Sequence, residues 1–190
     1  MARYPDSTFL YTDGSKTIDG VGFAFVHGSR CFRYKLPNFC SIFTAKAAAI
    51  LRALEYAEQQ RLYKCVICTD SQSVTTAVIN PDSDQPIVLD LIGTFHRLLA
   101  AGYDITLVWI PGHCGISVNE MADTQAKIAV SWGDLCIVPL GYKEYAPMLR
   151  KAVRGLFNKL WTDYRPGTAL KCIKAVSGSC DTSTRPNRRD

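Results

Sequence analysis

The chain has 190 residues, 47% of them hydrophobic and 21% charged. This composition is ordinary for a globular protein and excludes a wholly disordered chain, a collagen-like fibre and a coiled coil. Net charge is +5 but unevenly spread: residues 1–133 hold 11 Lys and Arg against 12 Asp and Glu, a net of −1, whereas residues 134–190 hold 11 against 5, a net of +6. A basic extension beside a near-neutral domain points either to a polyanionic partner or to a solvated basic face. The longest apolar runs fall far short of the roughly 20 residues a membrane span needs. The first residues lack the apolar stretch of a signal peptide. The expectation is a soluble intracellular protein, nuclear or cytoplasmic and not secreted, with no membrane partner.

Residues 9–13 form a short apolar and β-branched run ended by Gly14-Ser15, which reads as a strand entering a turn with Asp13 at its end. A second strand follows over residues 21–26, and a third over 30–36, stopped by Pro37. The short links between these three strands predict an antiparallel meander. The period then changes. Thr44 can cap a helix over residues 45–60, whose Ala47, Ile50, Leu51, Leu54 and Ala57 recur at three- and four-residue steps. Residues 64–69 (KCVICT) read as a strand apolar on both faces, as expected inside a covered sheet.

Short helices are expected at 71–79 and, after the turn-rich loop 80–86, at 87–101. Residues 105–110 form a fifth strand, stopped by Pro111-Gly112. Ser117 then caps a helix through about residue 130, with Glu120 completing a capping box. Helices between the later strands make those strands parallel, joined by crossovers. The prediction is one α/β domain over residues 1–133, a five-stranded mixed sheet covered by helices.

Residues 134–177 read as a basic amphipathic helical extension. Tyr145, Met148, Leu149, Ala152, Val153, Leu156, Phe157, Leu160, Trp161 and Tyr164 form one apolar stripe, and Pro147 suits the first turn. Such a stripe packs on its own domain or docks on a partner; the first is favoured. Residues 178–190 are polar and expected to be disordered.

Eight cysteines without a signal peptide argue against a disulfide framework. Cys65 and Cys68 have half a zinc site's spacing, but within a strand their side chains point to opposite faces, which favours structural thiols.

Three aspartates occupy comparable places: Asp13 at the end of the first strand, Asp70 at the end of the fourth, and Asp123 on the helix after the fifth. Ligands of open α/β sheets gather beyond strand ends. Adjacent carboxylates there repel and demand a counter-charge, which a hard divalent cation supplies. The bland alternative makes Asp13 a turn former and Asp70 a helix N-cap. The segment WIPGHCGISVNEMAD (109–123) carries most information: a strand, a glycine-bracketed loop with His113, then a helix with Asn119 and Glu120 flanking the face of Asp123. A loop histidine near such a centre can move protons near neutral pH. His27 and His96 lack that context.

TDGS at 12–15, Thr44-Ala45 opening a helix, TDSQ at 69–72 and the 109–123 segment together resemble the ribonuclease H family, in order and spacing, over about residues 7–131. The wording of residues 41–55 and the long amphipathic tail most resemble the ribonuclease H domain of non-LTR, jockey-like retrotransposon polyproteins. The resemblance implies a ribonuclease H-like fold and an enzyme that cuts the RNA strand of RNA–DNA hybrids with two Mg²⁺ ions, Mn²⁺ being a possible substitute. It implies a partner in the reverse-transcriptase portion of the same polyprotein. The family's four acidic positions fall on Asp13, position 46, Asp70 and Asp123, the aspartates being the metal ligands. His113 falls where the family assists proton transfer or product release. Gly14, Ser15, Ser71, Gln72 and Asn119 fall near the nucleic-acid backbone and 2′-hydroxyls.

Position 46, however, is lysine where the family expects glutamate. A unit charge pair at 4 Å and an effective dielectric of 20 is worth about 4 kcal/mol, and about twice that for a divalent ion, so attraction for metal becomes repulsion. Glu55, about 13 Å further along the helix, cannot substitute. The expectation is weak Mg²⁺ binding and slow or absent cleavage. The alternatives are a catalytically silent hybrid-binding module of the same fold, or a structural domain whose tail helix docks on a polymerase.

Overall fold

The computed structural model describes residues 4–112 and 114–163. His113, the end of the expected basic extension and the tail expected over 178–190 lie outside the described residues. The chain divides into two compact units, Met1–Tyr145 and Ala146–Asp190.

The first unit opens with three antiparallel strands, β1 (Thr8–Lys16), β2 (Val21–His27) and β3 (Arg30–Leu36). Helix α1 (Ile42–Gln59) leads to β4 (Lys64–Thr69). Helices α2 (Gln72–Ile79) and α3 (Pro86–Ala100) lead to β5 (Asp104–Trp109), and α4 (Ser117–Trp132) follows. The strand order is β5-β4-β1-β2-β3-β6, with β4 parallel to both β1 and β5. The predicted meander, crossovers and parallel half are therefore present.

The sheet has six strands rather than five. The extra one, β6 (Asp134–Leu135), pairs in parallel with Tyr34 and Lys35 of β3. Two exposed residues carry no alternation for a sequence pattern to detect.

Alternation on the inner strands sorts the core into two layers. Leu10, Phe23, Phe25, Cys65 and Ile67 pack with the apolar faces of α1, α2 and α3. Tyr11, Val26, Val66 and Cys68 pack with Ala122 of α4. Cys65 and Cys68 thus do point to opposite faces, as structural thiols. Close approach of α4 depends on Gly22: a Cβ there would lie 2.5 Å from the backbone nitrogen of Val130 and 2.8 Å from the carbonyl oxygen of Ala126.

Several element ends differ from the sequence expectation. Gly14-Ser15 is not a turn. β1 runs on to Lys16 beside β2, so Asp13 lies inside the strand opposite Ala24. Helix α1 begins at Ile42, two residues before Thr44, and is capped by Ser41, whose Oγ accepts the Thr44 N–H. Both residues are good caps, and the earlier one wins because Ile42 and Phe43 continue the helix. Helix α4 has no capping box. Ser117 is its first helical residue, and Ile116, with no polar side chain, takes the cap position. There the Ile116 carbonyl accepts from the Asn119 and Glu120 N–H groups.

Helix α5 (Tyr142–Asp163) starts in the first unit and continues into the second. Pro147 lies in its second turn, not its first, which leaves the Lys143 carbonyl without its helical donor. Along its later turns Leu149, Val153, Leu156 and Leu160 are exposed, and the Phe157 and Trp161 rings stack with centroids 5.6 Å apart. Among the described residues no helix is long and apolar enough to cross a membrane.

Candidate active site

The parallel pairing of β1 with β4 stops at Thr12 and Thr69, and the chain leaves β4 through Asp70. β1 continues past that point beside β2 alone. Asp13 therefore borders a gap where β4 has ended, and α1 fills it. Gly14 permits the approach: a Cβ there would lie 2.8 Å from the backbone nitrogen of Lys46 and 2.9 Å from the Ala45 Cβ. With the helix backbone this close, the Lys46 side chain reaches both carboxylates. Its Nζ is 2.8 Å from Asp13 Oδ1 and 2.6 Å from Asp70 Oδ1. The Gly14 N–H also donates to Asp13 Oδ1, at 2.7 Å.

Asp13 is buried. Burial raises its pKa, and the hydrogen bond and charge of Lys46 offset this only in part; nearby Asp70 adds to the rise. Burial acts the other way on Lys46, penalising the ammonium, but hydrogen bonds and charge from the two carboxylates outweigh it and hold the pKa above its ordinary value. Lys46 is accordingly a cation throughout the physiological range.

Asp70 is not a helix cap. Ser71 caps α2, its Oγ accepting the Val74 N–H, which leaves the Asp70 carboxylate free to face Lys46. Two neighbours that the sequence did not single out fix this corner. The Trp109 indole N–H donates to the Asp70 carbonyl at 3.1 Å. Gly112 passes so close that a Cβ there would lie 3.1 Å from Asp70 Oδ2. The chain at Gly112 thus runs against Asp70. A tryptophan two residues before Pro-Gly at a strand end was the available signal for the first contact.

Asp123, half-buried on α4, accepts from Lys127 one turn on, at 2.7 Å. Asn119 is buried and its Oδ1 has no hydrogen-bond partner. Ser15 is half-buried, Ser71 buried and Gln72 exposed. The fold thus joins Asp13, Gly14, Lys46 and Asp70 in one cluster and places Asp123 in an ion pair of its own. Among the described residues no group of three or more His, Cys, Asp or Glu side chains is placed to hold a metal ion. The donor set does not fit a divalent cation, because the carboxylate oxygens that converge already accept from an ammonium.

A second polar cluster escaped the sequence reading. The Glu144 carboxylate accepts from the Ser41 N–H and Ser41 Oγ, both at 2.6 Å, and from the Thr44 hydroxyl. An anion at a helix N-terminus satisfies free N–H groups and complements the dipole. Nothing in the local sequence signals this contact, since its partners lie about a hundred positions apart.

An antiparallel meander continued by parallel strands, with one acidic residue inside the first strand meeting another just beyond the fourth, defines the ribonuclease H-like class of α/β proteins. The family model described as RNase H matches residues 5–131, and the chain belongs to that family. Among solved structures it is similar to RNase H1 from the halophilic archaeon Halobacterium salinarum NRC-1. The identity is 22% and the TM-score 0.51, with 65% of this chain and 97% of that one covered. No curated protein matches the chain at a significant level.

Proposed function

We propose that this chain is the ribonuclease H domain of a retrotransposon reverse-transcriptase polyprotein, that it engages RNA–DNA hybrids, and that it hydrolyses their RNA strand slowly or not at all. Family membership supports the hybrid substrate. The wording of residues 41–55 and the basic C-terminal third support the retroelement setting, with the reverse-transcriptase portion as partner and the nucleus or cytoplasm as the place of action.

The observation that carries the impairment is the Lys46 ammonium between Asp13 and Asp70. The family works with divalent metal ions, by resemblance a pair of them. With lysine at position 46 the three side chains sum to −1, where a glutamate would give −3. A dication meets a fixed positive charge at the point where it needs a ligand, and the Coulomb term changes sign. Asp123, His113, Gln72 and Asn119 keep the roles the resemblance assigns them only as part of this proposal.

The test compares this chain with its Lys46→Glu variant on a labelled hybrid in Mg²⁺. The expected outcome is a rise in cleavage of about 10²–10³-fold, the rate equivalent of roughly 3–4 kcal/mol. Strong cleavage by the unmodified chain would overturn the impairment. No cleavage by the glutamate variant would overturn the nuclease assignment.

A further inference from the structure

We propose that the chain carries a nucleobase pocket between β3 and α1, apart from the Asp13–Lys46–Asp70 cluster, and that the pocket prefers guanine. The inference stands beside the hybrid reading and does not draw on it.

Phe25 of β2 and Phe32 of β3 stack with ring centroids 4.5 Å apart, and Tyr56 of α1 meets both, at 5.2 and 4.7 Å. Phe25 and Tyr56 are buried, whereas Phe32 and its neighbour Tyr34 are half-buried. Together with Arg52 and Glu55 these rings line a cavity of about 140 Å³ that opens to solvent. That is far more room than one water needs and less than a drug-sized ligand fills, so the cavity is on the scale of a single flat ring system.

The polar side of the cavity is held in place. Arg52 Nε and Nη2 donate to Cys136 Sγ at 3.3 and 3.1 Å. Nη2 also donates to the Ile137 carbonyl at 3.4 Å, and Nη1 donates to Glu55 Oε2. A guanidinium has five N–H groups. These bonds occupy four and leave one N–H on Nη1. Glu55 Oε1 has no hydrogen-bond partner among the described residues, and the side chain is 32% exposed. A donor and a carboxylate edge therefore stand side by side next to aromatic rings. Their charges sum to zero, so the pocket favours neither a simple cation nor a simple anion. Aromatic rings and an ordered guanidinium are the surfaces on which nucleobases stack. Of the common bases, guanine is the one whose Watson–Crick edge sets an acceptor, O6, beside two donors, N1–H and the N2 amine. Arg52 suits the first and Glu55 the other two. Because Cys136 and Ile137 already fix the guanidinium, little side-chain freedom is lost on binding.

The base comes either from a free nucleotide or from an unpaired nucleotide of a strand, and the experiment separates these sources. Guanosine, adenosine and cytidine 5′-monophosphates are titrated into the isotopically labelled full chain and followed through its amide NMR spectrum. The guanosine nucleotide should shift amides of residues 30–36 and 52–59. It should bind about tenfold more tightly than the other two, the discrimination that one well-placed side chain–base pair provides. All three carry the same phosphate, so equal affinities would mean that phosphate alone is held and would overturn the inference. Glu55→Gln keeps an oxygen for Arg52 but turns an amide donor toward the donors of guanine, and should abolish the preference with the amide spectrum otherwise intact. Phe32→Leu should weaken all three nucleotides several-fold by removing a stacking face. Should that variant not fold, Glu55→Gln carries the test.

A single-stranded hexanucleotide with one guanine is then compared with the same strand bearing adenine there. Binding about tenfold or more tighter than the free nucleotide, lost in Glu55→Gln, assigns the pocket to a strand. Affinity equal to that of the free nucleotide assigns it to the nucleotide. A guanine preference that survives Glu55→Gln, shifts centred elsewhere, or no saturable binding by either probe would each overturn the inference. None of these outcomes bears on the hybrid reading, which stands or falls on cleavage after Lys46→Glu.

Discussion

One ammonium sets the charge of the site, and it owes its position to a hydrogen atom on Gly14. Close packing of this kind recurs at Gly22, where helix backbone lies so near that a methyl group has no room. Gly22→Ala should therefore destabilise the fold by about 1–3 kcal/mol or more, the cost of forcing backbones apart, read as a lower urea midpoint. Gly22 was legible in sequence only as part of a strand, because the atoms that crowd it come from Ala126, Ala129 and Val130, more than a hundred residues away. Asp13, Asp70 and Lys46 were legible individually, as residue types in motifs. Their mutual bonding was not, since bond lengths depend on how far β4 runs and where α1 crosses. Burial also tunes the thiols. Cys65 and Cys68 are both pushed up to about 11. At pH 8 a thiol reagent should modify exposed Cys114 quickly in the native protein and reach Cys65 and Cys68 only on unfolding, which peptide mapping after labelling would show.

Helix interiors announced themselves through their period, and helix ends did not. Four helices of the first unit fall where apolar spacing placed them, because one buried stripe against a sheet leaves little choice of face. Their starts depended on which of several competing caps was used: Ser41 over Thr44, and Ile116 over Ser117. Helix α1 also draws on a residue no local pattern includes. Removing that carboxylate by Glu144→Ala leaves the Ser41 N–H and the Ser41 and Thr44 hydroxyls without their acceptor. The expected loss is about 1–3 kcal/mol, seen as a lower denaturation midpoint with an unchanged slope. The Glu144→Gln variant should lose less, because its amide oxygen still accepts. A second tie reinforces the same stretch, an ion pair of Lys143 with Asp84 at 3.2 Å. It is exposed and contributes little.

For the molecule as a whole, alternation and helix period together were enough to give the directions of the strands, though not their order across the sheet, because short links force neighbouring strands antiparallel and helical links force them parallel. The sixth strand lay below that threshold. So did the extent of β1, where Gly14 looked like a turn because its packing partner was out of view. Stability should fall in alkali. An unfolded cysteine ionises near its ordinary value of 9.0, while Cys65 and Cys68 in the fold hold their protons to about 11. Between those values the unfolded chain releases protons that the folded one retains, which costs about 1.4 kcal/mol per pH unit for each thiol. Lys46, raised in the fold, adds to the same trend: its contribution is complete below its unfolded value and is lost above its folded one. The Tm should drop between pH 9 and 11, and less steeply in Cys68→Val.

The bond from Lys46 to two strands also makes the site an internal gauge of assembly. Asp13 and Asp70 stand 57 positions apart in the chain and meet only when β1 and β4 align with Thr12 against Thr69. A slip of one residue would turn every side chain of the displaced strand to the other layer and strand the ammonium without its second carboxylate. Chains that have closed this contact have, by that fact, set β4 against β1 in its proper alignment.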